Sequence, residues 1–212
     1  MLEVYGFGRV NKFAHGNTRD LRVLWALEEI GLPYEIVAMD HPSHDLDTPE
    51  FRGKNPFGQL PVIVDDGVVV TESGAIVLYL ARKSGKLMPR DLAGEAQVLR
   101  WSVAALNSIE LPILSAWFVD ISGGKGTKPS DALKGWAKMR LEQLDGWLAN
   151  REFIAVDEFT VADILMTHVI SGGTDQNLVK PHANVLAYQK RCTDRPAWKR
   201  TIDAYRDRVE AA

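Results

Sequence analysis

The most restrictive feature of this 212-residue chain is a pair of short β-branched runs joined by an Asp-Gly turn. Residues 61–64 and 68–70 are rich in valine and isoleucine, and Asp65-Asp66-Gly67 separates them. An Asp-Gly pair between two runs of this kind predicts a β-hairpin. Residues 61–70 are therefore expected to form two antiparallel strands.

A strand, a helix and a second strand are predicted before the hairpin. Residues 2–5 read as a short strand, and residues 6–16 as an irregular stretch. Helical periodicity follows from Val23 to Ile30, because apolar residues recur there at spacings of three, four and seven. Gly31 ends this helix, and residues 34–39 read as the second strand.

The remaining elements predict two domains. Ser73 can cap a helix that runs to about Lys83. The order strand, helix, strand, loop, hairpin, helix favours a thioredoxin-like α/β layer over residues 1–83. Residues 84–93 read as a linker, and residues 94–212 as an all-α domain. Its helices are predicted near 94–120, 131–149, 160–170, 182–194 and 197–210.

Composition excludes several classes of function. The net charge of −3 leaves no basic surplus for phosphate contacts, which argues against nucleic-acid partners. The lone Cys192 excludes a disulfide framework and a Cys-rich zinc site. His41 and His44 lack a third ligand at a suitable spacing, so no metal is expected. No apolar stretch approaches the roughly 18 residues of a membrane span. We therefore expect a soluble cytoplasmic protein with no membrane partner.

The segment before the hairpin could bind an extended peptide. If the Leu60–Pro61 bond is cis, the backbone N–H and C=O of Leu60 face away from the sheet, and an extended peptide can pair with them. The alternative is an ordinary trans proline that opens a strand. Because few X–Pro bonds are cis, this stretch alone favours the trans form.

Two helix starts are candidate binding positions. The free N–H groups at the start of the helix after the hairpin suit a ligand carboxylate, and Ser73 adds a hydroxyl. Glu72 could accept a hydrogen bond from a ligand ammonium. At residues 17–20, the start of the first helix, the same field would favour the thiolate form of a bound thiol. Plain helix capping is the alternative at both positions.

Four segments, in this order, resemble the cytosolic glutathione transferase family. The first is residues 23–35, which look like that family's first helix and second strand. The others are residues 55–61, 71–76 and 159–163, the last with Thr160 and Asp163 as a predicted capping pair. Each is common alone, but the four in register are specific, and the resemblance extends over nearly the whole chain.

The resemblance implies a ligand, a fold and a reaction. The fold would be a thioredoxin-like domain followed by a helical domain that contributes a pocket for a hydrophobic electrophile. Glutathione would be the co-substrate, and a homodimer is expected. Leu60, before Pro61, would pair with the cysteinyl part of glutathione, and Gln59 would contact its backbone. Glu72 and Ser73 would hold the γ-glutamyl end.

The sequence departs from the family where the thiol is activated. Serine-type and cysteine-type members place the activating residue six positions before the valine that matches Val23. Asn17 occupies that position here, and the adjacent Thr18 and Arg19 are alternatives. Tyrosine-type members use a tyrosine at the end of the first strand, which corresponds to Tyr5. The absence of any activating residue also stays open.

A second departure concerns the glycine carboxylate of glutathione. The His-Lys pair of the plant and insect types is missing, and His44, Arg52 or Lys54 could replace it, unless the carboxylate stays solvated. The expected function is thiol transfer to an electrophile. The alternatives are a non-catalytic glutathione-binding or scaffold protein and a glutathione-dependent peroxidase or isomerase.

Overall fold

The computed structural model describes residues 1–171 and 176–211. It divides into two compact units. The first consists of Met1–Leu87 and the segment that begins at Arg195, and the second is Met88–Asp194. The boundary after Leu87 falls inside the stretch predicted as a linker, but the last helix belongs to the first unit rather than to the helical domain.

The described residues contain five strands and ten α-helices, together with short 3₁₀ and π segments. In chain order they are β1 (Leu2–Val10), α1 (Asp20–Ile30), β2 (Glu35–Asp40), α2 (Pro49–Lys54), β3 (Val62–Asp65), β4 (Val68–Thr71), α3 (Ser73–Ser84), α4 (Leu92–Ala104), α5 (Leu111–Val119), α6 (Lys128–Leu148), α7 (Val161–Ser171), α8 (Gln176–Val179), α9 (Ala183–Thr193), α10 (Pro196–Arg208) and β5 (Glu210–Ala211).

The sheet of the first unit has the order β2-β1-β3-β4. β1 is parallel to β2 and antiparallel to β3, and β3 and β4 form the predicted hairpin. The short β5 pairs in parallel with the end of β1. This mixed sheet and the helical second unit confirm the predicted fold class.

β1 is longer than the sequence predicts and continues through part of the expected irregular stretch to Val10. Gly6 and Gly8 make this possible because the neighbouring elements lie very close. A Cβ atom on Gly8 would lie 2.9 Å from the Cβ of Ala38 on β2, and one on Gly6 would lie 3.0 Å from Asp20 Oδ2. The glycines read as loop residues are therefore strand residues that allow close packing.

The last helix joins the first unit by packing on α1. Trp25 is fully buried, and the centre of its ring lies 4.7 Å from the ring centre of Trp198 on α10. Arg195 donates to both carboxylate oxygens of Glu29 at 2.6 and 2.8 Å. Aromatic burial and a bidentate ion pair together attach α10 to α1.

The second unit begins with a long helical stretch, Leu92–Gly124, which is interrupted near its end at Gly123, where φ is 89°. A wider helical turn, Ala105–Glu110, comes just before Pro112 at the start of α5. An 18-residue window of this stretch has a mean hydropathy of 1.4 and is 33% buried. The prediction that no segment approaches a membrane span was therefore wrong by length and composition. Core helices outside membranes also meet these two criteria.

The predicted capping pair at the start of α7 forms around a buried carboxylate. Asp163 Oδ2 accepts from the Thr160 N–H at 2.8 Å and from the Thr160 hydroxyl at 3.0 Å. Asp163 Oδ1 accepts from the Ile154 N–H at 2.8 Å and from the Tyr188 hydroxyl at 2.9 Å. Burial raises the pKa of Asp163, and these hydrogen bonds act in the opposite direction. Asp163 thus ties α7, α9 and the preceding loop together.

Candidate functional site

The start of α3 has the geometry of an anion site. β4 ends at Thr71, and the chain turns into α3 through Glu72, whose φ of 68° lies in the left-handed region. That conformation is strained for a residue other than glycine, and such strain concentrates at functional sites. The Ile76 N–H donates to the Glu72 carbonyl at 2.9 Å and closes the first turn. The N–H groups before it have no helical acceptor and can bind an anion.

The hairpin register brings the two predicted peptide-binding segments together. The Leu60–Pro61 bond is cis, so the trans form that this stretch alone favours is not the one present. Val62, the first residue of β3, pairs with Thr71, the last residue of β4. Continuing this antiparallel register places Pro61 beside Glu72. Leu60 and Pro61 are therefore adjacent to the start of α3.

The loop before β3 is held by the buried residue Asn55. Asn55 begins the 55–61 segment, but the sequence alone did not indicate a role for it. Its side-chain amide donates to the carbonyl of Gln59 at 2.8 Å, and its Oδ1 accepts from the Phe57 N–H at 3.1 Å. Gln59 itself has an exposed side chain. Asn55 thus fixes the backbone that leads to Leu60.

The candidate cations for the glycine carboxylate all have acidic neighbours. His44 Nδ1 lies 2.9 Å from Asp47 Oδ2, and Arg52 donates to Asp47 Oδ1 at 2.8 Å. The hydrogen bonds from His44 and Arg52 lower the pKa of Asp47. Lys54 lies 4.0 Å from Glu50 Oε1. A role for any of the three remains a prediction.

A buried polar cluster holds the start of α1. Thr18 is 6% exposed, and its hydroxyl donates to the Tyr205 hydroxyl on α10 at 2.9 Å. Asp20 is fully buried and accepts from the Phe7 N–H at 3.0 Å, and burial raises its pKa. Arg208 Nη2 lies 3.9 Å from the same carboxylate. The Thr18 hydroxyl is therefore part of a contact between α1 and α10.

The other thiol-activating candidates differ in position. Asn17 is exposed and lies directly before the Thr18 contact. Arg19 is the N-cap residue of α1 and is half-buried. Tyr5 packs against Phe51 of α2, and its hydroxyl donates to Glu3 at 3.4 Å. Burial raises the pKa of Tyr5. The structure thus brings Asn17, Thr18 and Arg19 together, while Tyr5 belongs to the surroundings of α2.

Within residues 1–171 and 176–211, no group of three or more His, Cys, Asp or Glu side chains could hold a metal ion. His41 instead contacts the Phe7 ring, with ring centres 6.0 Å apart.

Comparisons with known proteins agree with this geometry. Residues 9–82 match the model of the glutathione S-transferase N-terminal domain. Glutathione S-transferase 3 of Schizosaccharomyces pombe is 29% identical over 209 residues, covering 90% of this chain and 86% of that protein. A glutathione S-transferase-like protein from a Fusarium species is 33% identical over 165 residues, covering 74% of each chain.

Two further similarities bear on the chemistry. The disulfide-bond oxidoreductase YghU of Escherichia coli is 29% identical over 214 residues, covering 94% of this chain and 73% of that protein. A crystal structure of a glutathione transferase family member from Pseudomonas fluorescens, with two glutathione molecules bound, is 27% identical with a TM-score of 0.83. That similarity covers 95% of this chain and 92% of the other.

By fold, the chain is a thioredoxin-like unit combined with a helical unit. The matched domain model and the relatives make the assignment specific. The chain belongs to the glutathione S-transferase family, and it is an enzyme of the glutathione transferase class.

Proposed function

We propose that the protein binds glutathione beside the Leu60–Pro61 segment and the start of α3, and transfers its thiol to a hydrophobic electrophile. The free N–H groups of α3 and the Ser73 hydroxyl would bind the γ-glutamyl carboxylate, and Glu72 would accept from the ammonium. The observation that carries the proposal is the hairpin register, which ends with Val62 paired to Thr71, so that the next residues on the two sides are Pro61 and Glu72. One extended peptide can reach both.

Thiol activation is assigned in this proposal to Asn17. The Thr18 hydroxyl already donates to Tyr205, whereas the exposed Asn17 amide has two hydrogens that can donate to a sulfur. Lowering a thiol pKa from about 8.5 by two pH units requires about 2.7 kcal/mol. A helix N-terminus supplies about 1–2 kcal/mol, and a hydrogen bond to the charged sulfur about 1.5–3 kcal/mol. Both contributions are therefore needed.

A titration of bound glutathione tests the proposal. We expect the ultraviolet absorbance of the thiolate to give a pKa at least one pH unit below the 8.5 of a free thiol. Asn17→Ala should raise that pKa by about one pH unit, since it removes one hydrogen bond to the thiolate. Asn150→Ala, an exposed asparagine of the second unit, is the matched control and should leave it unchanged.

Three results would point elsewhere. Bound glutathione with an ordinary thiol pKa would favour the binding or scaffold alternative. If the thiol pKa stays low in Asn17→Ala, the activating residue would be Thr18, Arg19 or Tyr5. Thr18→Val would then be the next variant to titrate. No binding at all would contradict the proposed function.

Disulfide or peroxide reduction with glutathione is the second candidate, and the similarity to the oxidoreductase YghU favours it. Cys192 cannot form a mixed disulfide readily, because it is buried and burial raises its pKa to about 12. Reduction would therefore use glutathione itself as the thiol. Assays with a disulfide, a peroxide and an aromatic electrophile on the same preparation separate the reactions.

The proposal also includes the assembly and the location of the protein, a homodimer in the cytoplasm. The helical stretch Leu92–Gly124 carries a row of exposed apolar side chains, namely Leu99, Val103, Leu111, Leu114, Phe118 and Ile121. In the first unit, Phe57 is 71% exposed. Apolar surface of this kind marks interaction sites, and a second copy of the chain is the partner that the family resemblance implies.

We expect Phe118→Glu to weaken the dimer at least about 100-fold, because the substitution buries a charge in the interface. Sedimentation equilibrium measures the change. Leu186→Glu, on α9, is the control and should keep the wild-type association. A monomeric wild type that sediments with neutral lipid vesicles would instead assign the apolar row to a membrane.

A further inference from the structure

Arg22 is a buried arginine on α1 that reaches the start of α3. Its Nη1 donates to Ser73 Oγ at 3.1 Å, and the two residues are only 2% and 5% exposed. Arginine is seldom buried to this degree, because its charge is always present and is costly to remove from water. A guanidinium in this position therefore limits which hydrogen bonds the Ser73 hydroxyl can make.

The contact determines what the Ser73 hydroxyl can do. A hydroxyl has one hydrogen and two acceptor lone pairs, whereas a guanidinium only donates. Arg22 therefore occupies an acceptor position of Ser73 and leaves its hydrogen for another group. Among the described residues, no acceptor takes that hydrogen. The hydroxyl is thereby set as a donor at a helix start that already favours anions.

We propose that Arg22 is a positioning residue that orients the Ser73 hydroxyl as a donor to the γ-glutamyl carboxylate of glutathione. The inference rests on the proposed function, since it needs that carboxylate to lie at Ser73. The guanidinium also adds a permanent positive charge behind the hydroxyl, which strengthens a hydrogen bond to an anion. Arg22 itself does not touch the ligand.

The alternative is that Arg22 only fills the contact between α1 and α3. The two roles predict different effects of an Arg22 substitution on the preference between two ligands. Replacing a residue that only supports the fold would weaken the binding of glutathione and of an analogue without the γ-glutamyl carboxylate equally. Replacing a residue that acts through Ser73 would weaken only the binding of the ligand that carries this carboxylate.

Calorimetric titration of the full chain tests the inference with two probes, glutathione and its analogue with the γ-glutamyl α-carboxylate converted to an amide. We expect Ser73→Ala and Arg22→Met each to lower the preference for glutathione about tenfold, which is about 1.4 kcal/mol. The double variant should lose little more than either single one, because both changes remove the same hydrogen bond. Near-ultraviolet circular dichroism confirms that each variant is folded.

Arg22→Lys carries the test if Arg22→Met fails to fold. It keeps the charge but lacks the planar fork, and we expect at least a threefold loss of preference. Losses that add fully in the double variant, or a wild-type preference in the folded Arg22 variants, would overturn the inference. If Ser73→Ala weakens glutathione while the Arg22 variants do not, the proposed function survives without it. If Ser73→Ala has no effect, the γ-glutamyl assignment and the inference both fail.

Discussion

Asp163→Ala is expected to lower the free energy of unfolding by about 4 kcal/mol and the Tm by about 10 °C. The carboxylate is fully buried and accepts hydrogen bonds from the N–H groups of Ile154 and Thr160 and from the hydroxyls of Thr160 and Tyr188. Removing it leaves four buried donors without an acceptor, and each one costs about 1–3 kcal/mol before the structure relaxes.

Two further variants make the comparison specific. Asp157→Ala removes an exposed acid from the same loop and should change the stability by less than about 0.5 kcal/mol. Asp163→Asn keeps the shape but turns an NH2 group toward two of the donors, so it should also destabilise the fold. Urea denaturation gives the free energies. An Asp163→Ala variant within about 1 kcal/mol of wild type would contradict this account of the cluster.

Local sequence chemistry predicted much of the fold. The Asp-Gly turn predicted the β3–β4 hairpin, whereas the predicted cap Ser73 is the first residue of α3 and Glu72 takes the N-cap position. Gly31 ends α1 with a φ of 77°, which glycine adopts without strain. Each of these features depends on residues close together in the chain, so a single sequence carries the signal.

Contacts between distant residues could not be predicted in the same way. Thr18 and Tyr205 are 187 positions apart, and Arg22 and Ser73 are 51 apart. Buried polar pairs depend on which elements the fold brings together, and no periodicity encodes that. Arg22 did offer one signal, because a charged residue inside a run as apolar as Leu21 to Leu27 needs a partner when it is buried.

The candidate site contains residues that local sequence predicts and one role that depends on contacts between distant residues. Leu60, Glu72 and Ser73 could be proposed from the sequence because each belongs to a short motif with a local mechanism. The thiol-activating residue was left open among four positions, because hydroxyls and amides near a helix start read alike as caps. The hydrogen bond from the Thr18 hydroxyl to Tyr205 is the observation on which the proposal prefers Asn17, and it joins residues too far apart in the chain for the sequence to predict it.

Ser73→Asp is expected to weaken glutathione binding about 100-fold while the fold keeps or gains stability. A carboxylate at this position would face the γ-glutamyl carboxylate, and close like charges cost several kcal/mol. The same carboxylate suits the first turn of α3 and can pair with Arg22, so the folded state does not suffer. Calorimetric titration gives the affinity, and thermal denaturation gives the stability.

Ala75→Asp is the matched control, because it adds the same charge to the first turn of α3 from an exposed position. Solvent screens a charge there, so the affinity should fall by no more than about fivefold. Comparable losses in the two variants would mean that Ser73 has no direct contact with the ligand and that only the net charge of the helix start matters. Wild-type affinity in Ser73→Asp would place the γ-glutamyl carboxylate away from α3. A loss confined to Ser73→Asp, with an unchanged Tm, is the result that the register between Pro61 and Glu72 leads us to expect.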